Sequence, residues 1–132
     1  MRAISLFFCK INFLDRNRVA EIIFNDGELL NLKKITELHR VLLNQYSSNS
    51  FYLLINKKNS YCYTYKAQLR LADLSLIKAI AIVNYTKINE LSTNYIMNFG
   101  KKSTIKHKSF YNRESALNWL EHISYTLPFL TL

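Results

Sequence analysis

The chain has little of what most active sites are built from: its 132 residues include two glycines, one proline, two cysteines and three histidines. A dinucleotide fingerprint needs three glycines in one turn, and the chain has only Gly27 and Gly100. The run Gly100-Lys101-Lys102-Ser103 looks like the tail of a phosphate-binding loop, but position 95 is Tyr95 and the segment follows a helical pattern rather than a strand. Cys9 and Cys62 lie far apart and outside any C-x-x-C pattern, which excludes a redox motif and half a zinc site. His39, His107 and His122 fall on a predicted helix, strand and helix, none with a second ligand at metal spacing. All three read as surface or core-rim residues, and Asp73, Glu90 and Glu121 as solvated or locally paired helix carboxylates. The sequence therefore predicts no catalytic residue, no metal and no cofactor.

Nor is there a stretch near the roughly 18 uncharged apolar residues of a spanning helix. The opening Met1 to Lys10 has too short an apolar run for a leader and lacks a small-residue cleavage site. It reads as a lead-in and first strand of a cytoplasmic protein with no membrane span.

What is present is an ordinary globular balance, 49% hydrophobic and 20% charged residues, in a length that suits one domain over 1–132. Lys and Arg number 18 against 9 Asp and Glu, a net charge of +9, which favours encounter with anionic surfaces of any kind. Much of the excess is lysine, alongside plentiful asparagine, isoleucine and tyrosine. That combination reads as compositional background rather than a nucleic-acid site. Tyr61, Tyr63 and Tyr65 beside Lys57, Lys58 and Lys66 are the one grouping that would suit single-stranded nucleic acid by stacking and phosphate contact, but alternate tyrosines more commonly pack inward.

The hydropathy pattern alternates strands with helices. Phe7 to Phe13 and Val19 to Phe24 form a predicted hairpin joined by the polar turn Asp15-Arg16-Asn17-Arg18, and the turn signal Asn25-Asp26-Gly27 ends the second strand. Asn31 caps a helix to about Tyr46, with Leu32, Ile35, Leu38 and Leu42 on one face. Phe51 to Ile55 is apolar enough for a central strand covered on both faces. Thr64 caps a weaker helix from Tyr65 to about Ser75, and Ile77 to Val83 is another buried strand. Thr86 begins an amphipathic helix that ends at Gly100. Ile105 to Phe110 is a last strand whose Lys106 and Lys108 would blunt a sheet edge. Asn112 caps a final helix, Arg113 to about Ser124, with Pro128 marking its end. The fold class is α/β, a mixed and mostly parallel sheet of about five strands with about four helices, in the order β-β-α-β-α-β-α-β-α.

This order, with Phe110, Ala116, Trp119 and Leu120 at their spacing in the last strand and helix, resembles the small SpoIIAA-like proteins of the STAS superfamily, and among them uncharacterised members from Bacteroidetes-type bacteria. The resemblance implies an open α/β sheet and a regulatory role through protein association. The partner would be another protein or a second copy of the chain in a homodimer. Relatives of this architecture also include holders of apolar ligands, so a small lipid carrier is the alternative. Anti-sigma-factor antagonists of the superfamily carry an aspartate at the end of the strand matching Phe51 to Ile55, and a phosphorylated serine at the next helix start. Here Asn56 and Thr64 stand near those places, so the resemblance makes Thr64 the one candidate phosphosite, with an ordinary helix cap as the plainer reading.

Ligands of open α/β sheets usually sit beyond the strands' carboxyl ends. That rule predicts a crevice formed by Asn56, Tyr61, Tyr63, Thr64, Tyr65 and Asn84. Amide side chains donate and accept hydrogen bonds without a useful acid-base range, so such a crevice would bind rather than catalyse.

Overall fold

The computed structural model describes residues 2–71, 73–86 and 105–130, with side chains through residue 125. The helix expected from Thr86 to Phe99, with Gly100, Lys101 and Lys102 behind it, lies outside the described residues beyond Thr86.

The elements in chain order are β1 (Arg2–Leu6), β2 (Cys9–Phe13), β3 (Val19–Phe24), β4 (Leu29–Leu30), α1 (Leu32–Gln45), β5 (Phe51–Lys57), β6 (Cys62–Tyr63), α2 (Tyr65–Leu71), β7 (Ile77–Asn84), β8 (Lys106–Phe110) and α3 (Arg113–Leu130). Six strands form one sheet in the order β1-β2-β3-β5-β7-β8. The first three make an antiparallel meander, and β3, β5, β7 and β8 run parallel. Every residue of β5 is buried, as its unbroken apolar run requires of a strand covered on both faces.

Alternation along β5 divides the core in two. Phe51, Leu53 and Ile55 join Ile35, Leu38 and Leu42 of α1 and Ala67 and Leu71 of α2 on one face. Tyr52 and Leu54 join Ala116, Leu120 and Ile123 of α3 on the other. The aromatic strand end and the helix residues of the C-terminal motif meet here: Phe110 and Trp119 have ring centroids 5.7 Å apart, and the fully buried Ala116 brings α3 close to Ala79 and Ala81 of β7. Small side chains on both surfaces set that approach.

Four expectations are corrected. The N-terminal segment is two strands rather than a lead-in and one strand, because the chain reverses at Phe7-Phe8. Phe8 is buried there, and Asn25 secures the turn, its amide donating to the Phe8 carbonyl at 3.0 Å and its side chain to the Phe7 carbonyl at 2.9 Å. The main sheet therefore has six strands, not about five. A second small sheet pairs β4 with β6 in parallel, too short to leave a periodic signal. Helix α2 stops at Leu71 instead of Ser75, and the chain turns back through Leu76, whose φ is +67°. Helix α3 runs past Pro128 to Leu130: proline lacks the amide that would bond four residues back, and near a helix end that forfeits a single hydrogen bond.

Ala116 offers a direct check on this packing. Replacing Ala116 with Leu inserts volume where helix and sheet already touch and should destabilise the fold by about 1–3 kcal/mol, read from urea unfolding. An unchanged midpoint would show that α3 is not seated on β7 in this way.

Candidate functional site

The crevice predicted from the strand ends is split by the sheet. Asn56 follows the α3-facing Leu54 by two residues and shares that side. Asn84 is opposite Lys57 in the β5/β7 register and shares the α1/α2 side with Tyr61 and Tyr63. The structure therefore brings Tyr61, Tyr63, Lys57 and Asn84 to one face and sends Asn56 to the other.

On the α1/α2 side, Tyr61 and Tyr63 are half-buried and pack on Phe24, with ring centroids 4.9 and 6.2 Å away. The Lys57 ammonium lies 5.3 Å from the Tyr61 ring centre. Lys57 is buried as the last residue of its strand, and that desolvation lowers its pKa from the ordinary value. Burial likewise raises the Tyr61 and Tyr63 phenols further above their ordinary value. Thr64 caps α2, its hydroxyl accepting the Ala67 amide hydrogen at 3.2 Å, while its own amide donates to the Leu30 carbonyl at 2.9 Å. Tyr65, one residue on, is exposed.

On the α3 side the structure assembles a polar centre around Glu21, a carboxylate that is 3% exposed in the middle of β3. Arg113, the first residue of α3, donates to it twice, from Nε at 2.9 Å and from an η nitrogen at 3.1 Å. Asn56 donates to the same carboxylate at 3.0 Å and Asn12 at 3.3 Å, while the Tyr85 hydroxyl donates to Asn56 Oδ1 at 2.9 Å. Burial alone would raise the Glu21 pKa, but the hydrogen bonds from Arg113 and Asn56 outweigh it and hold the carboxyl below its ordinary 4.5. A group kept ionised and enclosed by donors has no proton to give and a weak pull on any other. The centre fastens β2, β3, β5 and α3 together, and its chemistry is structural.

Glu21, Arg113, Asn12 and Tyr85 are absent from the predicted crevice. One signal was legible: an acid inside the apolar run Val19-Ala20-Glu21-Ile22-Ile23-Phe24 must find donors if that strand is buried. Its partner, 92 residues along the chain, left none.

The histidines and cysteines resolve more simply. His39 is buried rather than at the rim, with Nε2 2.9 Å from the Ser75 carbonyl and Nδ1 3.4 Å from an Arg70 η nitrogen, so it ties α1 to the segment after α2. His107 and His122 are exposed. Among the described residues no group of three or more His, Cys, Asp or Glu side chains is placed to hold a metal ion, and no helix is long and apolar enough to cross a membrane. Cys62 is exposed, whereas Cys9 is buried and its thiol is pushed up to about 12 by that burial.

The described chain is thus a mixed, mostly parallel sheet with helices on both faces, extended by an antiparallel meander. The solved structure of an uncharacterised DUF3478-family protein with a SpoIIAA-like fold, from Shewanella loihica PV-4, superposes with a TM-score of 0.59 over 85% of this chain and 91% of the other, at 16% identity. At that identity the likeness establishes the fold. In sequence, the profile of the family described as domain of unknown function (DUF7793) matches residues 13–124, and the chain belongs to that family. No curated protein matches it significantly in sequence.

Two measurements check the site. Replacing Arg113 with Met leaves the Glu21 carboxylate on its amide donors alone. Because Arg113 is partly exposed, the loss should be about 1–2 kcal/mol at neutral pH. A depressed pKa contributes stability above the unfolded value and loses it as pH falls through the folded one, so the gap between parent and variant should close below pH 4.5. A gap that persists undiminished in acid would mean that the ion pair is not its source. Separately, Ellman's reagent should titrate one thiol, Cys62, in the folded protein and both after unfolding. Fast reaction of two in the native state would contradict the placement of Cys9.

Proposed function

We propose that this domain works by protein association, as a non-enzymatic regulatory module of the SpoIIAA-like type, and that its contact surface lies from Tyr61 to Arg70. The observation that carries this reading is the outward face of α2. Tyr65 is 63% and Leu69 41% exposed, one helical turn apart and flanked by Lys66 and Arg70, while Ala67 and Leu71 alone supply the inward face. Aromatic and aliphatic side chains kept in water at helical spacing suit a partner's apolar surface.

Two further placements favour association over the alternatives. Ala67, Leu71 and Leu74 fill the core beneath α2, where an apolar-ligand carrier would need space. The Tyr61 and Tyr63 rings meet edge to face at 5.6 Å instead of presenting parallel faces to stacked bases. Thr64 remains the residue whose phosphorylation would act on this surface, since a phosphate there would add charge beside Tyr65 and compete with the cap.

A photo-crosslinking residue placed at Leu69 and expressed in the source cell should give a discrete heavier adduct. The same residue at Asn49, on an exposed loop at the other end of β5, should not. Peptide mapping of the adduct separates a second copy from another protein. Equal labelling at both positions, or turnover by the purified protein that a crevice substitution abolishes, would remove the reading.

A further inference from the structure

The most exposed large apolar side chain among the described residues is Phe7, at 79%, on the turn between β1 and β2. That turn lies at the carboxyl end of β3, since Cys9 pairs with Phe24. Leu29, 55% exposed in β4, and Leu32, 41% exposed at the start of α1, occupy the same end. Lys34 links them: its ammonium lies 5.8 Å from the Phe7 ring centre and donates to the Leu29 carbonyl at 3.0 Å.

The charge around these side chains is lopsided. Lys34 is neutralised by its ion pair with Glu28, and the Asp26 carboxylate accepts the Ser60 amide hydrogen at 2.9 Å. Lys33 is exposed next to Leu32, Lys58 is exposed in the loop after β5 that meets the carboxyl end of β3 through Asn59 and Ser60, Lys66 is exposed at the start of α2, and neither α1 nor α2 has an acid in its first turn.

Hence we infer that this end of the sheet docks on an anionic lipid surface, with Phe7, Leu29 and Leu32 entering the headgroup layer and Lys33 and Lys58 above it. Two features favour a bilayer over a protein as the occupant. Phe7 stands out from a tight turn, and a fluid interface accepts a projecting ring without a complementary pocket. The surrounding cations are lysines, which protein interfaces disfavour but which anionic headgroups attract, their flexible stems lying along the apolar boundary. The inference concerns a patch beside the α2 face and does not depend on a protein partner.

Cosedimentation with phosphatidylcholine vesicles containing about 30% phosphatidylserine, set against pure phosphatidylcholine, tests it. Binding should require the anionic lipid, weaken with added salt, and fall about tenfold in Phe7→Ser/Leu29→Ser. Phe7→Ser alone, at so exposed a position, guards against misfolding and should show part of the loss. A polarity-sensitive dye on Cys62, opposite Leu29 in the β4/β6 register, should shift to the blue when vesicles are added. Anionic-vesicle binding that the serine variants leave intact would reduce the effect to net charge and overturn the inference, as would equal binding to both vesicles. Absence of binding would overturn it too, and a dimer that Phe7→Ser dissociates would make the occupant a second copy. None of these outcomes bears on crosslinking at Leu69.

Discussion

A carboxylate in the middle of an apolar strand cannot be left without donors, and the need to satisfy Glu21 governs how the rest of the molecule is assembled. Asn12 reaches it from β2, Asn56 from β5 and Arg113 from the start of α3. Those elements belong to the antiparallel meander, the parallel half of the sheet and the C-terminal helix. A hydrophobic contact tolerates sliding, whereas a two-pronged guanidinium–carboxylate pair fixes position and angle. A one-residue slip of β3 would turn Glu21 into the α1/α2 core, away from every one of its donors.

The C-terminal motif acts with this clamp. Fully buried Ala116, one turn after Arg113, permits the close approach to β7, and Leu120 and Ile123 continue the same face of α3. On the opposite face α1 and α2 are held partly by His39, whose ring joins the Ser75 carbonyl to Arg70. Each face of the sheet thus carries a specific polar device within a mostly apolar core.

Much of this architecture was legible in the sequence because it rests on local periodicity. The apolar run of β5, the caps at Asn31, Thr64 and Asn112, and the alternation of strands and helices are all properties of neighbouring residues. The cap hydrogen bonds are present at Lys34, Ala67 and Ser115. What escaped was whatever depends on few residues or on distance. The two-residue strands β4 and β6 are shorter than any period, and the turn at Phe7-Phe8 carries no glycine or proline to mark it. Of the candidate site, strand ends made it legible that Asn56 and Asn84 lie at one end of the sheet, but alternation along the strands puts them on opposite faces. Glu21 and Arg113 are joined only by the fold.

The sheet's two halves make different demands on the chain as it folds. The meander closes through short turns between β1, β2 and β3, whereas the Glu21–Arg113 pair spans 92 residues. Loop-closure entropy rises with the length of chain enclosed, and distant contacts repay it only after the intervening strands are in place. The ion pair that fixes the geometry of the finished sheet is therefore of little help in starting it. The burden of nucleation falls on the local apolar contacts of the N-terminal strands and of β5 with its neighbours.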